Sequence, residues 1–184
     1  CELGFDYGLK SHWLGVYEKV ADFSIKYHPN QTELVKGELK SIVSFIREFC
    51  TKNNIDIIHI HSLSNPQLIE ACFKLTPVMR SMHEPRIVCP GQGKFWRNTE
   101  RICDKPFGLH CIYHTYKEGC CNRHPKRLLK AYKNVLFETT KGNLNYCGIM
   151  VMSNYMFEEA VKVGFDTDKI YLNPYFTPSV DSTE

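Results

Sequence analysis

The stretch Ile55-Asp-Ile-Ile-His-Ile-His61, followed by Ser62 and then by Asn65-Pro66, carries the reading of the fold. A run this short and this rich in isoleucine predicts a strand buried on both faces, as in a parallel sheet. Asn65-Pro66 joins an N-cap to a first-turn proline and opens a helix with Leu68, Ile69, Cys72 and Leu75 on one side. Upstream, Asn30 with Glu33 has the spacing of a capping signal. Val35, Leu39, Ile42, Ile46 and Phe49 then recur at steps of four and three, a helix ending near Lys52-Asn53-Asn54. Downstream, strands are expected at 77–82, 147–152 and 169–172. A helix beginning at Ser153 carries Met156, Ala160, Val161 and Val163, and Gly164 stands where a left-handed terminal residue is wanted. Strands separated by helices imply right-handed crossovers, hence a Rossmann-like α/β fold with an open parallel sheet and helices on both faces. Ligands of such sheets bind beyond the carboxyl ends of the strands, where the sequence places His61 and Ser62, His83 and Glu84, Ser153 and Asn154, and Asn173.

Composition narrows the classes. The 184 residues are 43% hydrophobic and 23% charged, ordinary for one globular domain, and the longest apolar runs are too short for a membrane span. The start, Cys1-Glu-Leu-Gly, has no basic and apolar leader and reads as the inside of a longer gene product. A net charge of +3 is far from that of a nucleic-acid domain, so any cationic role must be local and no nucleic-acid partner is expected in the leading reading. Nine cysteines leave at least one thiol unpaired and fit a reduced, cytoplasmic setting. The sequon Asn30-Gln-Thr32 points the other way.

Between the second and third strands the stretch 85–125 reads as irregular and holds Cys89, Cys103, Cys111, Cys120 and Cys121 with His110, His114 and His124. A connection this long is functional or locally constrained. Three readings of the cysteines stand side by side. Cys111-Ile-Tyr-His114 has the gap of a zinc knuckle that Cys89, Cys103, Cys120 or Cys121 would complete, whereas the intervals of 13, 7 and 8 residues from Cys89 to Cys120 are not paired knuckles and leave disulfides or free thiols open. Lys94, Phe95, Trp96 and Arg97 set two aromatics beside two cations, a pattern that stacks on sugars or fills a small core. Arg123, Lys126, Arg127, Lys130 and Lys133 form a cationic run. If Pro125 opens a helix, Lys126, Lys130 and Lys133 share one face and Leu128, Tyr132 and Val135 another, a form that docks on anionic membrane surfaces.

The ordered set Asp56-Ile-Ile-His-Ile-His61, Pro77-Val-Met-Arg-Ser-Met-His83-Glu84, and Ile149-Met-Val-Met-Ser153 with Gly164 and Lys169-Ile-Tyr-Leu-Asn-Pro174 resembles the acceptor-side, N-terminal half of family-4 retaining glycosyltransferases, the GT-B architecture. Cys89-Pro90 with Cys103, Cys111 and Cys120 is similar to a cysteine-bearing subset of that family. The resemblance implies transfer of a sugar from a nucleotide-sugar donor to a glycan or lipid-linked acceptor, with retention and no catalytic cofactor. It implies His83 and Glu84 as catalytic residues, with His61, Ser62, Trp96, Arg97, Ser153 and Asn173 at the substrate. It also implies a peripheral location at the inner membrane face. Two departures accompany it: nothing before Asn30 looks like the family's first strand and glycine-rich loop, and the donor-holding domain has no counterpart, so this chain is expected to fold and to be inactive alone. The expected organisation is an irregular lead-in over 1–29, the Rossmann-like domain over 30–178 with its insertion at 85–125, and a tail over 179–184. The reading from another class is a zinc-stapled α/β binding module whose basic helix engages nucleic acid or a protein.

Overall fold

The computed structural model describes residues 36–174. The chain divides into two compact units at 42/43; the first contributes only the opening of one helix to the described residues, and the second holds the sheet. Its elements run α1 (Lys36–Lys52), β1 (Ile58–Ile60), α2 (Pro66–Cys72), β2 (Val78–Met82), a 3-10 turn (Pro85–Ile87), the hairpin β3 (Phe95–Trp96) and β4 (Arg101–Ile102), α3 (His110–Glu118), and α4 (Pro125–Phe137). A π-helical turn (Glu138–Gly142), α5 (Asn143–Asn145), β5 (Tyr146–Val151), α6 (Asn154–Lys162), a 3-10 turn (Thr167–Lys169) and β6 (Ile170–Leu172) complete it. The capping signal at Asn30, Val35, the sequon, the lead-in and the tail lie outside the described residues.

Local chemistry explains the element boundaries. Asn65 Oδ1 accepts the backbone N–H of Gln67 at 3.0 Å and of Leu68 at 3.2 Å, and Pro66 takes the first helical position, where a missing N–H costs nothing. Ser153 caps α6 in the same way through the Met156 N–H at 3.2 Å. Gly164, at φ +93°, ends that helix in a conformation that L side chains rarely adopt.

The sheet is all parallel in the order β1-β2-β5-β6, with Ile60 beside Arg80, Arg80 beside Ile149, and Ile149 beside Ile170. That register puts Ile60, Val78, Met82, Tyr146, Ile149, Val151 and Ile170 on one face, and all are buried in a single cluster with Ile69 and Cys72 of α2 and Ala160 of α6; Ile46 of α1 packs on its margin. Burying each such large side chain is worth about 1.5–3 kcal/mol. Crossovers that step the same way along a sheet land their helices on the same face, in keeping with α2 and α6 sharing this cluster. The second face carries His59, Met79, Ser81, Met150 and Tyr171, and His59 and Tyr171 are exposed. The expectation that 55–61 is a strand buried on both sides is corrected accordingly: β1 is three residues long, Ile57 is exposed, and the alternation that buries Ile60 turns His59 outward.

The segment from 85 to 125 is not irregular throughout. It builds the hairpin and α3, which ends at Gly119 with φ +65°. Pro125 does open α4, and Leu128 and Val135 are buried while Lys126, Arg127 and Lys133 are exposed, the division that the helical spacing predicts.

Candidate functional site

The strand ends converge where the topology requires. Ile60 is level with Arg80 in the parallel ladder, which sets His61 beside Ser81 and brings His83 one pleat further along on the same face. His61 Nδ1 and His83 Nε2 are 2.9 Å apart, a hydrogen bond in which one ring donates and the other accepts, and the rings stack with centroids 5.2 Å apart. His59 joins them one pleat back: its ring centroid is 4.2 Å from that of His61, and its Nε2 is 2.7 Å from Ser81 Oγ. His61, Ser62, Ser81, His83, Glu84 and Arg86 line a shallow recess that is partly open to solvent. Glu84 is half exposed and paired to Arg86 at 2.6 Å, so the recess rim presents a carboxylate already matched by a guanidinium.

Beneath the recess lies a group that the sequence reading passed over. Arg80 is 2% exposed; its Nη1 donates to the His61 carbonyl at 2.8 Å and its Nη2 to Glu138 Oε1 at 2.9 Å. Glu138 Oε2 accepts the Tyr146 hydroxyl at 2.6 Å, and burial, then the Glu138 carboxylate, pushes that phenol far up its range. Arg80 thereby ties the end of β1 to β2 and to the π-turn, fixing the backbone of His61. The available signal was a cation inside an apolar strand, Val-Met-Arg-Ser-Met, which must be paired to be buried.

Burial, then the charges of His61 and Arg80, holds the His83 imidazole below its usual 6.5, against a smaller upward pull from Glu84; burial and then His83 lower His59 in the same sense. Folded histidines with lowered pKa bind fewer protons than the unfolded chain near pH 6, so stability is full above pH 6.5 and falls as the pH drops through the lowered folded values. The expected result is a urea midpoint that declines below about pH 6.5, with a shallower decline in the double variant His59→Gln/His83→Gln. An unchanged slope would contradict this coupling.

Apart from Ser62, already placed in the recess, the other expected site residues are dispersed. Ser62 is exposed beside His61. Ser153 and Asn173 stand at the ends of β5 and β6 as expected, with structural duties: Ser153 caps α6, and the Asn173 amide reaches Met150 Sδ at 3.3 Å. Trp96 lies half buried in the insertion hairpin, stacked on His114 with centroids 5.1 Å apart; Arg97 next to it is exposed. Arg123 is exposed at the start of α4, and Lys130 is half buried within it. Cys89, Cys103, Cys111, Cys120 and Cys121 are all half buried and free, and among the described residues no three cysteine, histidine or acidic side chains are placed as ligands of a common ion. His114, offered as a ligand beside Cys111, is engaged with Trp96 and with the His110 ring at 5.8 Å. No helix among the described residues is long and apolar enough to cross a membrane.

Comparison with protein-family models, with curated proteins and with solved structures gives no match.

Proposed function

We propose that this chain is the acceptor-side, N-terminal domain of a GT-B glycosyltransferase of the family-4 type, transferring a sugar with retention from a nucleotide-sugar donor to a glycan or lipid-linked acceptor. The hydrogen-bonded pair of His61 and His83, at the carboxyl ends of adjacent parallel strands, is the observation that carries the reading. In such a transfer, negative charge develops on the leaving diphosphate and positive charge on the sugar. His83 lines the recess, and an imidazole there would stabilise the departing oxygen, or hold the sugar through its hydroxyls. His61, hydrogen-bonded to it, sets which nitrogen of His83 carries the proton. Arg80 acts as a positioning residue through the His61 carbonyl. The one-directional strand order supports the reading as well, since it is the order expected of one half of a doubly wound sheet. A second domain would supply the main contacts to the nucleotide. The exposed cations of α4 suit an anionic membrane surface that presents a lipid-linked acceptor.

Titration of this 184-residue chain with UDP- and GDP-sugars, followed by the ring resonances of its histidines, tests the placement. Millimolar donor is expected to shift the His61 and His83 signals and leave those of His110 and His124 in place. Micromolar affinity would put the donor site in the wrong half of the enzyme, and shifts confined to the insertion would put it in the wrong place.

A further inference from the structure

The insertion has almost no apolar interior of its own. Between 89 and 123 the buried residues are Pro90, Lys94, Thr115 and Glu118, while Phe95, Ile102, Leu109, Ile112, Tyr113 and Tyr116 are exposed. Its regular structure amounts to two two-residue strands and one nine-residue helix. A segment this size without a core needs a staple, either disulfides or a metal.

Sulfur occupies the place where that core would be. A Cβ at Gly91 would sit 2.3 Å from the Cys120 carbonyl oxygen and 3.6 Å from Cys89 Sγ, so the Cys89 turn and the end of α3 are in direct contact through a glycine. The Cys103 N–H donates to the Lys94 carbonyl at 2.7 Å, extending the hairpin pairing until Cys103 stands against the Cys89 turn. Thr115 adjoins both Cys111 and Cys120: its hydroxyl donates to the Cys111 carbonyl at 2.9 Å and hydrogen-bonds the Cys120 thiol. Cys89 Sγ receives the backbone N–H groups of both Gly91 and Lys94, the pattern in which a backbone turn cradles a thiolate. Cys89 and Cys103 both lie near enough to Cys111 and to Cys120 for their thiols to interact. A disulfide satisfies one partner; several sulfurs gathered around Cys89 match a tetrahedral centre.

We propose that Cys89, Cys103, Cys111 and Cys120 hold one structural divalent ion of the zinc class as a tetrathiolate. Cys121 stays outside the set, since its thiol is spent on the Pro90 carbonyl at 3.2 Å. On binding, four S–H bonds give way to four metal–sulfur bonds of about 2.3 Å, and four protons pass to solvent. The resulting charge of −2 is offset by the Gly91 and Lys94 N–H groups and by the buried Lys94 ammonium. Side-chain rotation of the four cysteines closes the site, and the hairpin, α3 and the Cys89 turn become one body.

The test uses the 184-residue chain reduced, incubated with zinc and desalted, with a parallel titration by cobalt(II). One zinc per chain is expected, together with the sulfur-to-cobalt charge-transfer band and the strong visible bands of tetrahedral cobalt. Cys103→Ser and Cys111→Ser should abolish these bands, while Cys121→Ser and Cys147→Ser keep them. If a serine variant fails to fold, chelation of the wild-type chain gives the same reading: hydrogen exchange should speed up over 89–123 and stay slow in β2 and β5. Stoichiometry well below one, cobalt bands that survive Cys103→Ser, or cysteines that oxidise to two disulfides before binding metal would overturn the assignment.

Discussion

Replacing Glu138 with alanine is expected to cost about 3–5 kcal/mol, a large share of the roughly 5–15 kcal/mol available to a domain. The side chains of Arg80 and Glu138 are 2% and 6% exposed and 2.9 Å apart, so the variant leaves a guanidinium in the core without its counter-charge. The Tyr146 hydroxyl loses its acceptor in the same step. The cost comes from the stranded charge more than from the lost bond, because taking both ions out of water already consumed much of their attraction. The double variant Arg80→Met/Glu138→Leu removes both charges and should recover most of the stability. Urea unfolding of the three proteins decides the matter, and a Glu138→Ala midpoint within about 1 kcal/mol of wild type would show that water reaches this pair. The double variant also separates stability from positioning, because it restores the core but leaves the His61 carbonyl without its donor.

His83→Ala carries the second large effect. In the complete gene product it should lower sugar transfer by about 10²- to 10³-fold, the range for one lost donor to a developing oxyanion. His83 is only half buried and at a strand end, so the same variant should keep the wild-type melting temperature within a few degrees. His83→Gln, which keeps an N–H donor, should recover part of the rate. Loss of kcat with little change in KM would place the contact in the transition state, whereas a change in KM alone would make His83 a ground-state binding residue.

Much of the scaffold was legible because its signals are local. Asn65-Pro66, Ser153 and Gly164 each act within a few residues of themselves, and each does in the structure what its chemistry requires. The four parallel strands followed from the spacing of isoleucine, valine and methionine runs. What escaped the sequence reading depends on distant partners. Nothing around Arg80 in the chain reveals that Glu138, far along the sequence, neutralises it. Lys94 likewise reads as part of a cationic loop, yet it is buried against Glu159 at 2.7 Å and pins the insertion to α6. Trp96 is open to either a sugar-stacking or a space-filling role from sequence, and its stack on His114 is a contact that only the fold reveals. The overestimated length of β1 has a similar origin. Isoleucine at 55, 57 and 58 looks like buried strand, but the ladder reaches only Ile58–Ile60, and Ile57 is left 47% exposed. At the strand ends the sequence indicated which residues would gather, and only the register brought His61 and His83 to 2.9 Å.

The central claim is that this sheet edge is half of a sugar-transfer site. Its most direct test is transfer of labelled sugar from UDP- or GDP-activated donors by the complete gene product to glycan and lipid-linked acceptors, with the anomeric configuration of the product read by NMR. The account predicts incorporation with the donor's configuration retained and dependent on His83. Inversion, or no turnover of any nucleotide sugar by a folded protein, would contradict it.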